Sequence, residues 1–324
     1  MRAVVCNSFG PLSDLVIEER PAPLLGPGQV RIAVTAAGVA FVDALLVQGR
    51  YQIKPPLPFT PGSELAGTVT EVAADVAGLA VGDRVLAATL IGGMATEVVV
   101  PARSVVKVPG VMSDGQAATF AQSYSTAYFA LAKRAWLRGG QSLLVLGAGS
   151  GVGLAAVDVG RALGLDVLAV ASSDAKRELA RSRGARAVFD SADPVAVKAW
   201  AREISGGGVD AVYDPVGGDL ALESLRALGE DGQFLVIGFA AGTIPALPAN
   251  QILLSNRRVV GVDLGGWLAR HPGDNAEILG ALLTLVESGR LNPVEPAAYP
   301  FTEAADALAA QQSRAVAGKV VLVP

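Results

Sequence analysis

From about residue 121 to residue 262, apolar runs of strand length alternate with runs of helical spacing, and no other feature constrains the fold as tightly. The strand-like runs are Ser142–Leu146, Val167–Ala171, Ala187–Phe189, Val209–Tyr213, Phe234–Ile237 and Val259–Val262. Between them lie Val152–Leu163, Ala175–Ser182, Val195–Ile204 and Leu220–Leu228, each spaced as a helix. Parallel neighbours need a crossover connection, and short helices supply it, so the pattern predicts a doubly wound parallel sheet. Strands covered on both faces are rich in Ala and Val, which accounts for a hydrophobic content of 51%. The longest uncharged stretches, Gly232–Asn256 and Gly139–Val157, are broken by Pro245, Pro248 and several glycines. Neither supplies the roughly 20 unbroken apolar residues of a membrane span.

The first third follows a different grammar. Val30–Ala36, Gly67–Val72 and Glu97–Val100 read as strands, VGDRV at Val81–Val85 reads as a turn between apolar runs, and seven prolines punctuate residues 21–61. This predicts an irregular antiparallel β-barrel. After the parallel sheet come a helix at Ala276–Ser288, the run PAAYPFTEAADALAAQQ, and a closing strand at Lys319–Val323. That tail is too small for its own core, so it is expected to rejoin the barrel. The expected organisation is a barrel domain at 1–120, the sheet domain at 121–262 inserted into it, and a return at 263–324.

The opening MRAVVCNSFG alternates like a first strand and lacks a basic segment followed by an apolar core, so a cytoplasmic protein is expected. The single cysteine, Cys6, has no internal partner, which fits a reducing compartment. It reads as a small core residue, with a reactive thiol as the alternative. A net charge of −4 without a basic run argues against nucleic acid as a partner.

One loop carries the sharpest signal. LLVLGAGSGVGLAA at Leu143–Ala156 places four glycines in seven residues between a strand and a helix. Amides at Ser150, Gly151, Val152 and Gly153 are expected to face an anion at the helix N-terminus, with Gly153 letting helix and strand pack closely. No Gly-Lys-Ser/Thr follows, so a triphosphate loop is excluded and a dinucleotide is the expected ligand; a ligand-free glycine turn is the alternative. Dinucleotide type is read about 20 residues on, where NAD sites place an acid against the ribose. Here Ser172 and Ser173 leave room for a 2′-phosphate, and Lys176 with Arg177 could neutralise it. Asp174 reads as a helix cap, or as an NAD carboxylate if the register shifts by two.

Taken together, AAGVAFVD (36–43), GRYQIKPPLPFTPGSELAG (49–67), SYSTAYFALAKRA (123–135), VLGAGSGVGLAA (145–156), GGGVDAVYDPVGGD (206–219), GQFLVIGFAAGTIPALPAN (232–250) and GKVVLVP (318–324) resemble the medium-chain dehydrogenase/reductase superfamily. More closely, they resemble its zinc-free NADPH:quinone oxidoreductases related to zeta-crystallin. The resemblance covers nearly the whole chain. It implies a GroES-like barrel carrying an inserted Rossmann sheet, NADPH as cofactor, and a homodimer through the edge strand near 258–263. Zinc-dependent relatives ligate their catalytic metal with Cys, His and Cys where this chain has Ala40, Ser63 and Gln122, so no metal is assigned. The only histidine, His271, falls in the polar run ARHPGDN.

Without a Lewis acid, a simple carbonyl is a poor hydride acceptor, whereas a quinone or conjugated carbonyl needs little more than a hydrogen bond on its oxygen. Tyr51 matches the family's candidate donor, with a packed loop aromatic as the alternative. Ala40 stands where relatives carry an asparagine, which enlarges the pocket expected around Phe41, Asp43 and Tyr124; Asp43 reads as structural or ribose-facing. Thr126, Val216, Gly238 and Phe239 match positions near the cofactor, and Ser191 stands where relatives often place a tyrosine against the 2′-phosphate. The leading expectation is hydride transfer from NADPH to quinones. Enoyl-thioester or 2-alkenal reduction, and NADPH binding with little turnover, are the alternatives.

Overall fold

Six strands of the central region form one parallel sheet, in the spatial order Ala187–Asp190, Asp166–Ala171, Ser142–Leu146, Val209–Asp214, Leu228–Val236, Arg258–Gly261. Numbered along the chain this is 3-2-1-4-5-6, the dinucleotide-binding arrangement expected from the alternation. The computed structural model describes Met1–Pro324 and divides it into two units, Met1–Gln122 with Val294–Pro324, and Ser123–Pro293.

In the second unit, Ser142–Leu146 is buried along its whole length, as a central strand covered on both faces must be. Leu144, Leu146, Leu168, Val170, Val212 and Phe234 meet Val197, Ala201, Leu220 and Leu225 from the crossover helices. The helices start where the sequence signals them. Ser150 caps Gly151–Ala162, Ser173 caps Asp174–Ser182, and Asp193 caps Pro194–Ile204 with proline in its first turn. The sheet ends at Arg258–Gly261, an edge strand with Val259 exposed.

The first unit is built on a seven-stranded sheet. Its long strand Gln29–Val39 pairs antiparallel with Glu64–Val72, Glu97–Pro101 and Val320–Val323. Glu64–Val72 pairs in turn with Arg84–Ala88. The closing strand Val320–Val323 therefore brings the C-terminus into this unit, with Ala297–Pro300 beside it. Its core gathers Ile32, Val34, Leu65, Val69, Val85, Met94 and Phe301.

The division departs from the expected boundaries at one place: residues 263–293 group with the parallel sheet, and the return begins at Val294. The reason is packing. The helix Asp274–Glu287 buries Ile278, Leu279, Leu282, Leu283 and Val286. The Trp267 ring packs at a tilt against Phe129, with centroids 5.5 Å apart, and Arg290 donates to the Ala162 carbonyl. A short helix at Leu264–Arg270, with Asp263 capping it, was not legible as a separate element in the sequence. No helix is long and apolar enough to cross a membrane.

Candidate functional site

The strands Ser142–Leu146 and Val209–Asp214 are adjacent in the sheet at the point where the strand order reverses, and open sheets of this kind bind ligands at the carboxyl ends there. Gly147 leaves the first strand with φ of 59°, and a Cβ on it would meet Val216 Cγ2 at 2.9 Å, so the two loops at the reversal touch. The Ala148 amide donates to the Val170 carbonyl at 3.0 Å, which ties the glycine loop to the next strand. Ser150 closes the loop. Its amide and hydroxyl both donate to the Gly147 carbonyl, at 2.9 and 2.7 Å, and its Oγ accepts the Gly153 amide at 3.2 Å. A Cβ on Gly153 would lie 2.3 Å from the Gly147 oxygen, so this glycine is required for helix and loop to approach.

These bonds correct the expected anion cradle. The Ser150 and Gly153 amides are consumed inside the loop, which leaves the first-turn amides of Gly151 and Val152 to face a ligand. Gly149 adds a second device. A Cβ there would meet Lys176 Cβ and Cγ at 2.5 Å each, so the lysine stem lies directly over the loop. The second strand ends in exposed Ser172 and Ser173, and Ser173 Oγ accepts the Lys176 amide at 3.4 Å. Arg177 is committed to Asp174, Asp190 and the Ala171 carbonyl.

Sequence reasoning missed Asp214, which shapes the other side of the reversal. Its Oδ1 accepts the Val216 and Gly217 amides at 2.8 and 2.9 Å, while burial pushes its carboxyl up. The signal was present as Asp-Pro-Val-Gly, a run with turn chemistry at Asp214, Pro215 and Gly217. Gly238 follows, its amide bonded to the Asp214 carbonyl at 3.2 Å, and Phe239 is 40% exposed. The structure thus brings Gly151, Val152, Ser172, Ser173, Lys176, Val216, Gly238 and Phe239 to the carboxyl end of one sheet.

Tyr124 sits elsewhere. It is 2% exposed, and its hydroxyl donates to Asp158 Oδ2 at 3.0 Å. Burial and the neighbouring carboxylate hold the phenol well above its usual range. Asp158 also accepts from Arg161 and from the Asn292 amide. The expectation that Tyr124 lines a pocket gives way to a packing role, because its polar end is committed inside the second unit. Thr126 lies two residues on, half-buried on the helix Ala121–Tyr128.

In the first unit, Ala40 precedes the helix Phe41–Val47, and Asp43 Oδ2 accepts the Ala40 amide at 2.8 Å. Asp43 is completely buried, which makes it a capping acid of this unit and removes the ribose-facing alternative. Burial raises its carboxyl to about 7, against the Ala40 amide and the nearby Ser63 hydroxyl, which favour the charged form. Glu64 and Lys319 are buried beside this group. Burial pushes the Glu64 carboxyl up and the Lys319 ammonium down to about 8, while Glu64 Oε2 accepts the Gln122 amide at 2.8 Å. Lys319 also donates to the Thr119 carbonyl. Phe41 is partly exposed, and Tyr51 is partly buried against the core two residues past the positive-φ Gly49.

Zinc does not fit these residues. Ala40, Ser63 and Gln122 present no thiolate or imidazole, and the polar groups around them are turned to each other: Asp43 to the Ala40 amide and Glu64 to the Gln122 amide. Cys6 is buried against the Ser8 and Val47 carbonyls, and His271 stacks on Trp267 at 4.1 Å. A dinucleotide does fit the second unit, where a glycine loop between strand and helix packs so closely that side chains on Gly147, Gly149 or Gly153 would strike Val216, Lys176 or the Gly147 backbone.

Two family models match this chain, the alcohol dehydrogenase GroES-like domain over residues 26–110 and the zinc-binding dehydrogenase over residues 151–282. The cow quinone oxidoreductase-like protein 2 is 37% identical over 322 residues, spanning 99% of this chain and 92% of the relative. A probable oxidoreductase from Mycobacterium abscessus has a solved structure that is 36% identical, with a TM-score of 0.90, covering 100% of this chain and 99% of the other. The Escherichia coli quinone oxidoreductase, solved in complex with NADPH, is 27% identical with a TM-score of 0.88 and covers both chains fully. A barrel carrying an inserted dinucleotide-binding sheet, matched across its length by these relatives, places the chain in the quinone oxidoreductase family of the medium-chain dehydrogenase/reductase oxidoreductases.

Proposed function

We propose that the protein is an NADPH-dependent reductase of quinones that works without a metal. The observation that carries the cofactor reading is the contact of Lys176 with Gly149. It supports a basic residue at the glycine loop, next to two exposed serines, in the turn where an NAD site would present an acid. NADPH, when bound, supplies the hydride. The Gly151 and Val152 amides hold its pyrophosphate, Lys176 with Ser172 and Ser173 hold the 2′-phosphate, and the Gly238–Phe239 turn and Val216 shape the opening at the strand reversal. Tyr51 donates a hydrogen bond to the acceptor oxygen as negative charge develops on it. Ala40, lacking a polar side chain, leaves space for a ring.

The test is NADPH consumption with a quinone and with a crotonyl thioester, each in the presence of EDTA. Fast turnover of the quinone supports the proposal. Preference for the thioester moves the protein to double-bond reduction, and silence with both leaves a nucleotide-binding protein.

The same reading includes a homodimer by sheet extension at Arg258–Gly261. It is supported by the exposed edge strand and by exposed Trp136, over which Arg258 lies at 5.1 Å. A monomer mass by light scattering at micromolar concentration would contradict it.

A further inference from the structure

The turn after the second strand of the parallel sheet holds Asp174, Lys176 and Arg177, and strand pairing brings a second acid, Asp190, beside it. Asp174 opens the helix Asp174–Ser182. Asp190 ends the neighbouring strand, directly opposite Ala171, the residue before Ser172. An acid near this turn is what an NAD site uses to bind the ribose hydroxyls, and it repels a 2′-phosphate. Both acids here are held by one side chain. Arg177 Nη2 lies 2.6 Å from Asp174 Oδ1, and Nη1 lies 2.8 Å from Asp190 Oδ2 and 3.1 Å from the Ala171 carbonyl. The other Asp190 oxygen accepts the Ala192 amide at 2.9 Å.

We propose that Arg177 sets the preference for NADPH over NADH without touching the cofactor, by offsetting the charge of Asp174 and Asp190 beside the proposed 2′-phosphate site. This deepens the reading of the cofactor given above and rests on it. The Arg177 side chain is 17% exposed, and its two terminal nitrogens are bound to Asp174, Asp190 and the Ala171 carbonyl. Ion pairs with exposed acids such as Asp174 add little stability, and the consequence of this one lies in the field it cancels. With Arg177 the two acids and the two bases sum to zero, and Lys176 is left as the direct ligand of the phosphate. Without it, one net negative charge remains beside the phosphate, and both carboxylates become available to a ribose hydroxyl. Arg177 is therefore a positioning residue for specificity, and Lys176 the direct ligand.

The test is calorimetric titration of NADPH and NADH into the full-length protein and three variants. Arg177→Ala is expected to weaken NADPH binding about ten-fold while moving NADH by less than about two-fold. Adding Asp174→Asn and Asp190→Asn to Arg177→Ala is expected to restore NADPH binding to within about three-fold of the parent. Asp174→Asn with Asp190→Asn on the intact Arg177 background removes two negative charges and leaves the positive charge of Arg177 uncompensated, and is expected to tighten NADPH several-fold. That double variant decides the matter if Arg177→Ala fails to fold. An unchanged NADPH/NADH ratio in Arg177→Ala overturns the proposal, as does failure of the double variant to tighten NADPH. A triple variant as weak as Arg177→Ala also overturns it, because Arg177 would then be binding phosphate itself. A parent protein that prefers NADH sinks the NADPH reading instead, before any variant is compared.

Discussion

The stem of Lys176 rests on Gly149, close enough that a methyl group on the glycine would meet its Cβ and Cγ at 2.5 Å. One contact thus joins the glycine loop to the turn after the second strand, the two segments proposed to hold the pyrophosphate and the 2′-phosphate. Gly149→Ala is expected to push the lysine aside and weaken NADPH binding roughly ten-fold, the loss of one charge-assisted contact. Its thermal midpoint should change little, because the displaced group is a flexible side chain. Fluorescence titration and a melting curve on the same sample check both parts.

Gly153 makes the opposite case. The atom its Cβ would strike, at 2.3 Å, is the backbone oxygen of Gly147, which cannot rotate away. Gly153→Ala should cost about 1–3 kcal/mol of stability as loop and helix are forced apart. Denaturant unfolding measures it, and a midpoint equal to that of the parent would show the loop to be more yielding than its geometry.

Tyr51→Phe removes only a hydroxyl. If that hydroxyl stabilises the developing oxyanion, kcat with a quinone falls about 100-fold while the NADPH dissociation constant stays put. Equal losses in binding and turnover would instead make Tyr51 a packing residue of its loop.

Asp43 gives a pH signature with a definite sign. Its carboxyl ionises near 7 in the folded protein, against 3.8 for the ordinary group. Between those values the unfolded chain loses its proton first, so rising pH destabilises the native state, by on the order of 4 kcal/mol once pH passes about 7. Asn at this position can still accept the Ala40 amide but cannot ionise. The advantage of Asp43→Asn in thermal midpoint should therefore be absent near pH 4, grow to pH 7 and then level off. Lys319 does not confuse the reading, since its depressed ammonium acts above pH 8 and with the reverse sign. A constant offset between the two proteins across pH 4–8 would contradict this account.

Tyr124→Phe tests the relocation of that residue. It takes a donor from the buried Asp158 and should cost about 1–3 kcal/mol, with kcat/KM for quinone within about two-fold of the parent. A large kinetic loss without a stability loss would return Tyr124 to the pocket.

What could be read in the sequence followed physical range. Periodicity and caps are local, and they placed Ser142–Leu146 to the residue and the other sheet strands to within a few residues at most ends. The longest miss was Leu228–Val236, which starts six residues before the expected Phe234, because Gly229, Asp231 and Gly232 read as turn rather than strand. Side-chain commitments are not local. Nothing near Tyr124 in sequence shows that its hydroxyl meets Asp158, 34 positions on. Arg177 was legible as a cation of the right turn, but its partner Asp190 arrives only through the pairing of two strands. The tail misled for the same reason. Its helix Asp274–Glu287 was visible, but which core would receive its apolar face was not.

The most direct test is to titrate the protein with NADPH in EDTA, confirm saturation, and then add one equivalent of quinone while following the reduced nicotinamide band. The account predicts tight binding with no loss of the band until the quinone is added, then stoichiometric oxidation. A band that persists after the quinone, or NADPH that never binds, would contradict it.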